Sequence, residues 1–370
     1  MIYTATRLRL TMETALVLCE GAFNRPPGKT AAGLVRHSLR FEILGIIDST
    51  SAGKDAGEVL DGKKAGIPIF ASLGEALARQ KRRPDYLIIG VATVGGMLPK
   101  QFRPIIAEAL GKKIDVISGL HEWLNQDPEF SKLAKKHGAT ITDIRKEPPL
   151  ETMHHYRGLA TKMKCVRIPI LGTDAASGKR TTGVILAKKL NERGIRTSFV
   201  ATGQTGLLQG SRFGIPLDAI RGDYVVGELE NAIDMAYRAE KPQVIIVEGQ
   251  GALSHPAYVT GSRAIVCASA PSTVVLQHAP ARKHRSYHTD ELHLPNGTID
   301  REMELIKVYA KTDIVGITIN HTEMTRKQVE KKISEYEKKY RVPACDPLVD
   351  GVDKIADAII KKFALKPKKT

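Results

Sequence analysis

The sequence predicts an α/β protein built from two parallel-sheet domains, and three observations predict it. Short apolar runs alternate with helical patterns from residue 15 onward, as they do where helices connect parallel strands. The alternation stops at residues 144–163, which contain two consecutive prolines and no long apolar run, and then starts again. The length of 370 residues fits two domains, since one domain usually takes about 100–200 residues. We therefore divide the chain into residues 1–147 and 148–370.

Each domain is predicted to carry five strands. In the first domain the strands are residues 15–18, 42–47, 67–70, 86–90 and 114–117. In the second domain they are residues 166–171, 197–201, 244–247, 273–276 and 314–319. Seven helical patterns lie between or after these runs, at residues 30–38, 73–80, 102–110, 179–193, 227–239, 301–311 and 325–340. Because most strands are separated by helices, we expect the strands of each sheet to run parallel.

The composition is that of a globular protein with a positive net charge. Hydrophobic residues make up 42% of the chain and charged residues 26%, which excludes a disordered or collagen-like protein. The 56 Lys and Arg residues outnumber the 40 Asp and Glu residues, giving a formal charge of +16. Basic residues are spread along the chain, and residues 326–339 mix them with acids as a solvated helix does. Since aromatic residues are only 5%, we expect anionic small molecules such as nucleotides or coenzyme A, and no nucleic acid.

The cysteines and the N-terminus predict a cytoplasmic protein. The four cysteines are far apart in sequence, with no Cys-x-x-Cys spacing for a metal or redox site, so reduced thiols are the simplest interpretation. The N-terminus lacks the apolar core of a secretory signal. No stretch approaches the roughly 18–20 apolar residues that span a bilayer, so we expect no membrane association. The sequence leaves open whether the protein forms a homo-oligomer.

The strongest local signal is a glycine-containing loop between an apolar strand and a helix. Small residues let backbone N–H groups face an anion, the helix N-terminus adds its dipole, and Lys179 supplies a mobile, solvent-facing charge. Two residues depart from G-x-x-x-x-G-K-[ST]: Thr173 takes the first glycine position, and Arg180 stands where a Mg²⁺-binding hydroxyl is usual, although Thr181 or Thr182 could replace it. The loop resembles that of dethiobiotin synthetase. The predicted phosphate-binding residues are Gly172, Thr173, Asp174, Ser177, Gly178, Lys179, Arg180, Thr181 and Thr182.

Acidic residues near the predicted strands are further candidates. Glu248 ends an apolar strand and has glycines behind it, at the sheet edge that borders the ligand crevice in open α/β sheets. It could hold a metal or a substrate amine, or act as a base. Asp223 could bind substrate or merely favour the start of a helix, and Glu230, seven residues later, could share its helix face.

Five histidines lie close together in the sequence: His255, His278, His284, His288 and His293. They lack the spacing of a zinc site, so we predict no metal site. His255 comes shortly after the strand of Glu248, and His278 ends the next strand. Either could act as a general base in the crevice, because imidazole titrates near neutral pH. Arg282 could bind an anionic group of the substrate with its guanidinium fork.

The first domain carries weaker signals. Glu20 follows its first strand and Asp48 ends its second, where an acid often binds ribose in dinucleotide folds, but G-x-G-x-x-G is missing and NAD is disfavoured. Residues 66–76 resemble the CoA-binding domain of succinyl-CoA synthetase, in which a similar pattern runs through a short strand into a helix.

Together these motifs resemble one family over about residues 15–360, the D-glutamate N-acetyltransferase-like proteins. The resemblance rests on residues 20–23, 29–31, 47–48, 52–57, 118–121, 143–145, 148–149, 172–182, 248–251, 254–256 and 278–282. Lys-x-Thr-Thr is the usual end of the loop in that family, so Arg180 fits it, whereas Ala281 stands where a glycine is expected. The resemblance implies a Rossmann-like N-terminal domain and a P-loop NTPase-like C-terminal domain.

The resemblance also implies an activity, the transfer of acetyl from acetyl-CoA to the amine of a D-amino acid. The loop would then hold the pyrophosphate or 3′-phosphate of CoA, and the base would be His255, His278 or Glu248. Three arginines could meet the carboxylates of the acceptor: Arg221, Arg282 and Arg285.

Two alternatives remain at this point. An ATP-dependent kinase or ligase like dethiobiotin synthetase would place Lys179 on the phosphates, Glu248 on Mg²⁺ and Asn320 near the nucleobase of ATP. A non-catalytic nucleotide-binding regulator is the third interpretation. ATP turnover separates the first alternative from acetyl transfer. The sequence fixes neither the side chain nor the stereochemistry of the acceptor.

Overall fold

Parallel strands assemble into one sheet in each of two units of the chain. The computed structural model describes residues 12–286 and 293–367. The first unit is Met1–Pro148 with Gln204–Ser211, and the second is Pro149–Gly203 with Arg212–Thr370. The division at residue 148 lies next to the predicted domain boundary. The inclusion of residues 204–211 in the first unit has no counterpart in the sequence patterns.

The first unit contains six strands of the described chain, β1 (Glu13–Leu18), β2 (Phe41–Ile47), β3 (Ile69–Phe70), β4 (Tyr86–Ile89), β5 (Asp115–Ser118) and β6 (Ile141–Asp143). Five helices accompany them, α1 (Lys29–His37), α2 (Ala56–Asp61), α3 (Leu73–Arg79), α4 (Arg103–Gly111) and α5 (Pro128–His137). The sheet order is β3-β2-β1-β4-β5-β6, with every neighbouring pair parallel. The order reverses between β1 and β4, so a Rossmann-type crevice belongs at the carboxyl ends of these two strands.

The second half of the chain supplies β7 (Val166–Gly172), β8 (Thr197–Ala201), β9 (Phe213–Gly214), β10 (Val244–Val247), β11 (Val274–His278), β12 (Ile314–Ile319) and β13 (Ala344–Cys345). Its helices are α6 (Lys179–Glu192), α7 (Gln204–Leu208), α8 (Gly222–Glu240), α9 (Val259–Ser269), α10 (Ile299–Ala310), α11 (Arg326–Tyr340) and α12 (Asp353–Lys362). All but α7 belong to the second unit. The sheet order is β13-β12-β11-β7-β10-β8-β9, again parallel. The predicted α/β class and parallel sheets are confirmed.

The ten predicted strands are present with bounds that agree within two residues. They were recognisable because strands buried on both faces read as continuous apolar runs, as in β10, where Val244–Val247 is buried throughout. The helix predicted from residue 227 begins five residues earlier, at Gly222. Gly227 is an interior residue, where a Cβ would lie 2.0 Å from the carbonyl oxygen of His154. The glycine therefore serves a close backbone approach and does not start the helix.

The predicted connector runs along α8 and is held by two buried carboxylates. Glu228 accepts a hydrogen bond from the backbone N–H of His154 at 2.5 Å, and Glu230 accepts from the N–H groups of Arg157 and Leu159 at 2.8 and 2.7 Å. Glu230 is fully buried, so it anchors the connector and does not share an exposed face with Asp223.

Apolar side chains form a separate core in each unit. Leu208 of α7 is fully buried in the core of the first unit, which fixes residues 204–211 there. No helix within the described ranges is both long enough and apolar enough to cross a membrane.

Candidate phosphate-binding site

The loop between β7 and α6 has the backbone of a phosphate cradle. The strand ends at Gly172 and the helix begins at Lys179, with Gly178 as its N-cap residue. Ala176 and Gly178 have φ values of 47° and 107°, and at 107° only glycine is free of strain. A Cβ on Gly172 would lie 2.9 Å from the carbonyl oxygen of Gln277. A bent loop at a helix N-terminus is the arrangement in which backbone N–H groups face an anion.

Lys179 is buried, contrary to the solvent-facing position expected from the sequence. Its side chain is folded onto its own loop, where Nζ donates to the carbonyl oxygen of Asp174 at 2.5 Å and lies 3.5 Å from Ser177 Oγ. Burial lowers the pKa of Lys179 to about 8, against the opposing charges of Asp174, Glu302 and Glu248. The loop therefore contains a desolvated cation whose present partner is a backbone carbonyl.

Asp174 and Arg282 brace the loop. The carboxylate of Asp174 is fully buried, and its Oδ2 accepts from Arg282 at 2.8 Å and from the N–H of Ser286 at 2.7 Å. Arg282 also donates to the carbonyl oxygens of Ala175 and Ala176, at 2.8 and 3.2 Å. The structure thus brings together two predicted residues, and it shows them tying the loop to the segment that follows β11. Their predicted direct contacts with ligand remain predictions.

Polar side chains on β11 and β12 support the other side of the loop. Gln277 Oε1 accepts from the hydroxyls of Thr182 and Thr318, at 2.5 and 2.6 Å. Asn320 Nδ2 donates to the carbonyl oxygen of Ser177 at 3.0 Å. Sequence reasoning missed Gln277, although a glutamine within an otherwise apolar strand is a signal that could have found it. Thr182 is buried and donates its hydroxyl to Gln277, whereas Thr181 is half-buried and is the more exposed of the two threonines.

Glu248 follows β10 directly, and its negative charge acts on Lys179. Its carboxylate accepts from the backbone N–H of Thr202 at 2.9 Å and from that of Gly203. Burial raises the pKa of Glu248 above that of an ordinary glutamate, although the positive charge of Arg180 opposes the shift. The next residue must be glycine, because a Cβ on Gly249 would lie 1.7 Å from the carbonyl oxygen of Ile170.

His255 is buried in a fixed tautomer. Its Nδ1 accepts from the backbone N–H groups of Ala257 and Tyr258, at 3.0 and 2.9 Å. Since Nδ1 is an acceptor, the proton of the neutral ring is on Nε2, which lies 3.6 Å from Asp174 Oδ1. Burial lowers the pKa of His255, and the nearby charges of Arg285 and Lys179 add to the effect. In this state the ring offers an N–H group toward Asp174 and no free lone pair.

His278 is held against the first residue of the loop. Its Nδ1 lies 2.7 Å from the hydroxyl oxygen of Thr173. Burial, with the positive charges of Lys332 and Arg282, lowers the pKa of His278 to about 4. The imidazole is therefore neutral at physiological pH and a weaker base than an ordinary histidine.

Two further buried charges complete the site: Arg285, which was a predicted residue, and Glu302, which was not. Arg285, expected at the crevice as a carboxylate partner, is instead buried and donates to the carbonyl oxygen of Thr173 at 3.2 Å and to Ser254 Oγ at 2.9 Å. Glu302 accepts from the N–H groups of Leu253 and Ser254, at 3.1 and 2.9 Å, and burial raises its pKa. No sequence signal marked Glu302, because an acid near the start of a helix is ordinary.

Other predicted residues lie elsewhere or outside the described ranges. Asp223 is exposed in the first turn of α8, where a negative charge favours the helix dipole. The rings of His284 and His293 lie 5.2 Å apart, and His288 is outside the described residues. Within residues 12–286 and 293–367, no three His, Cys, Asp or Glu side chains are grouped as metal ligands.

The corresponding edge of the first unit is built differently. Asp48 Oδ1 accepts from the N–H of Gly21 at 2.8 Å and from the Thr50 hydroxyl at 2.8 Å, so this acid joins the loops after β1 and β2. Near the N-terminus of α1, the buried hydroxyl of Thr30 lies 3.0 Å from that of Thr205. Gln204 Nε2 also donates to Thr30 at 3.4 Å. Residues 204 and 205 therefore cover the helix start.

Comparison with known proteins gives matches along most of the chain. Residues 154–356 match the model "Domain of unknown function (DUF1611_C) P-loop domain", and residues 49–147 match "Domain of unknown function (DUF1611_N) Rossmann-like domain". A protein of Pseudoalteromonas named D-glutamate N-acetyltransferase is 34% identical over 278 residues, 72% of this chain and 79% of that protein. A protein of the same name from Tritonibacter scottomollicae is 30% identical over 276 residues, 74% and 80% of the two chains.

A solved structure is similar over nearly the whole chain. The crystal structure of a DUF1611 family protein from Anabaena variabilis superposes with a TM-score of 0.84 at 29% sequence identity, covering 94% of this chain and 99% of that one. The similarity therefore extends to both parallel sheets.

Proposed function

The chain belongs to the DUF1611 family, and on that premise we propose that it transfers an acetyl group from acetyl-CoA to the amine of a D-amino acid such as D-glutamate. Two relatives that are 34% and 30% identical over most of the chain carry the name D-glutamate N-acetyltransferase. The name supplies the reaction class. The acceptor of this chain is part of the proposal.

The observation that carries the proposal is the buried lysine of the phosphate loop, Lys179. Lys179 is a buried cation that donates to a carbonyl oxygen of its own loop, so a phosphate oxygen would be a stronger acceptor for it. The loop's N–H groups and the N-terminus of α6 favour the same anion. The pyrophosphate of CoA has the charge and the oxygens that this loop suits.

Arg180 favours phosphate binding without phosphoryl transfer. In an ATP-hydrolysing loop the residue after the lysine supplies a hydroxyl to Mg²⁺, and an acid on a neighbouring strand completes the metal site. Here a guanidinium replaces that hydroxyl, and its charge acts on Glu248, the acid the alternative function assigns to Mg²⁺. Of the two threonines that could replace the hydroxyl, Thr182 donates to Gln277, which leaves Thr181 for the alternative function. A positive charge therefore acts on the carboxylate that would have to bind the divalent cation in the alternative function.

Glu248 is the base we propose among the three candidates. His255 presents Nε2–H and uses its other nitrogen as an acceptor, and His278 has a pKa of about 4, which makes it a weak proton acceptor. The pKa of Glu248 is raised, which brings it closer to the operating pH that favours general base catalysis. Its carboxylate also attracts an ammonium group, so one residue can bind the acceptor amine and remove its proton.

The proposed step balances as an acyl transfer. Glu248 takes one proton from the substrate ammonium, and the freed lone pair of nitrogen attacks the thioester carbon. A C–N bond forms and the C–S bond breaks, with the electron pair leaving on sulfur. The second nitrogen proton ends on that sulfur, giving the N-acetyl amino acid and free CoA. Glu248 then releases its proton to water.

The test is thiol release from acetyl-CoA with D- and L-glutamate and D- and L-aspartate, run in parallel with phosphate release from ATP. We expect thiol release that is fastest with an acidic D-amino acid, that matches N-acetyl product by mass spectrometry, and that persists in excess EDTA. No phosphate should be released from ATP. Thiol release absent with every amine, together with amine-dependent phosphate release that requires Mg²⁺, would replace this proposal with the ATP-dependent ligase.

A further inference from the structure

A cavity of about 310 Å³ opens beside the phosphate loop, between the end of β11 and α11. The lining residues that matter here are His278, Arg282, Lys283, Asn296, Tyr336 and Tyr340. Two of them contact the loop itself, since His278 Nδ1 lies 2.7 Å from Thr173 Oγ1 and Arg282 donates to Ala175 at 2.8 Å. The phosphate loop and the cavity therefore share two residues, which places the cavity next to a ligand whose phosphates lie in the loop.

The aromatic side chains of the cavity suit a flat base. Tyr336 and Tyr340 are one helical turn apart on α11, with ring centroids separated by 6.0 Å. The ring of His278 packs edge-on against Tyr336, with centroids 6.1 Å apart. The sequence interpretation of this helix as solvated holds for its Lys and Glu residues, as in the Lys332–Glu335 pair at 2.7 Å. The two tyrosines instead face the cavity, where aromatic rings can stack on a nucleobase.

The polar groups of the cavity suit the rest of a nucleotide. Lys283 brings a positive charge to the cavity, and Asp300 is paired with Lys339 at 2.7 Å. Arg282 is paired with Asp174 at 2.8 Å, so it adds the remaining N–H groups of its guanidinium. Asn296 Nδ2 donates to the carbonyl oxygen of Ala279 at 3.2 Å, which holds this side chain in the wall of the cavity. A phosphate would pair with the cations.

The size and the lining of the cavity together distinguish a nucleotide from an amino acid as its ligand. Pockets for small organic ligands are typically about 300–1,000 Å³, and 310 Å³ lies within that range. An amino acid would leave most of the space to water and would place no ring against the tyrosines. A nucleoside with one further phosphate would place its base against the aromatic wall and its phosphate at the cations.

We propose that this cavity binds the adenosine 3′-phosphate end of CoA, with the base against Tyr336 and Tyr340 and the 3′-phosphate at Arg282 and Lys283. The identity of the ligand rests on the proposed function, in which the loop holds the pyrophosphate of the same molecule. The acceptor amino acid then binds on the Glu248 side of the loop.

Calorimetric titration of the full chain with CoA, dephospho-CoA and 4′-phosphopantetheine tests the proposal. Tyr336→Leu should weaken binding of CoA and dephospho-CoA about tenfold, because base stacking is lost, and leave 4′-phosphopantetheine unchanged. Tyr336→Phe, which keeps the ring, should bind like the unaltered protein. Lys283→Ala should weaken CoA several-fold and leave dephospho-CoA unchanged, because only CoA carries the 3′-phosphate. Lys283 is exposed, so this variant should fold normally.

Two results would overturn the assignment. Unchanged affinity of Tyr336→Leu for CoA and dephospho-CoA, with a raised KM for the amino acid, would make the cavity the acceptor site. Equal losses for CoA and dephospho-CoA in Lys283→Ala would remove the 3′-phosphate contact. An unaltered protein that binds ADP but not CoA would reject acetyl transfer, and the nucleoside site would then stand only if Tyr336→Leu weakened ADP.

Discussion

In each unit the first described strand is followed by a helix that begins with lysine after a glycine N-cap, and only one of these two helix starts is a candidate ligand site. In the first unit α1 begins with Lys29 after a Gly28 N-cap, and in the second α6 begins with Lys179 after Gly178. Lys29 is exposed, and the next residue, Thr30, is covered by residues 204 and 205. Lys179 is buried inside a bent loop with Arg180 beside it. A helix N-terminus with a lysine is therefore not sufficient for phosphate binding, and the surroundings of its first turn decide.

The acidic residues near the two helix starts, Asp48 in the first unit and Glu248 in the second, also differ in their surroundings. Asp48 accepts from the N–H of Gly21 and from Thr50, so its role is to join two loops. Glu248 accepts backbone N–H groups as well, but its pKa is raised and it shares its surroundings with the cations of the phosphate loop. Within the described residues, the second unit combines a phosphate cradle, a buried lysine and a carboxylate whose pKa is raised by burial.

The largest expected effect is on turnover. Glu248→Gln should lower kcat by roughly 10²–10⁴-fold, because the amide cannot take a proton from the substrate ammonium. The Kd for CoA should change little, since the side chain keeps its shape. Glu20→Gln is the matched change at the edge of the first unit and should leave kcat unaltered. A kcat for Glu248→Gln near that of the unaltered protein would assign the base elsewhere.

The next largest expected effect is on CoA affinity, which should depend on the lysine that begins α6 and not on the lysine that begins α1. Lys179→Ala should weaken CoA binding by about 10–100-fold, because a hydrogen bond from a charged group contributes about 1.5–3 kcal/mol. Lys29→Ala should have no measurable effect on the same titration. Equal losses in the two variants would mean that the charge acts at long range, and a loss in Lys29→Ala alone would move the ligand to the first unit.

A smaller effect follows from the pKa of Lys179, which burial lowers to about 8. The lysine is charged below that pH and loses its proton as the pH rises through it, so CoA affinity should fall on the alkaline side. Between about pH 7 and about pH 9 the Kd should rise several-fold. Lys179→Ala should lack this dependence. A pH profile that is the same in both proteins would assign the titration to another group.

The smallest effect concerns stability at the covered helix start. Thr30→Val removes a hydroxyl that is hydrogen-bonded to Thr205 and Gln204 while keeping the shape of the side chain. Urea unfolding should show a loss of about 1 kcal/mol, and CoA affinity should not change. A variant that loses CoA binding without losing stability would show that Thr30 contacts the ligand.

Much of the fold could be predicted because its signals are local. Buried parallel strands are continuous apolar runs, and the phosphate loop is a glycine turn between a strand and a helix. Some missed elements also carried local signals, as in α5, where Asp127 caps the helix, Pro128 begins it and Gly138 ends it in the left-handed conformation. The inclusion of residues 204–211 in the first unit could not be predicted, because it depends on contacts such as that between Thr30 and Thr205.

The positions of the phosphate loop after β7 and of Glu248 after β10 could be predicted from the sequence, whereas the burial and pairing of the charges around them could not. The burial of Lys179 and the part played by Glu302 come from segments distant in sequence, and no local pattern reports them. The tautomer of His255 is set by two backbone N–H groups in its own turn, which sequence alone does not orient. The residue types in the sequence indicate where chemistry could occur. Tertiary contacts determine which of those groups can donate or accept a proton.

A crystal structure of the complex with CoA tests the central claim most directly. The account predicts that the pyrophosphate lies in the loop of residues 173–178, with its oxygens within hydrogen-bond distance of the loop's N–H groups and of Lys179 Nζ, and that Lys179 no longer donates to the carbonyl oxygen of Asp174. CoA bound at the carboxyl edge of the first unit, near Asp48 and the start of α1, with Lys179 still folded onto its own loop, would contradict it.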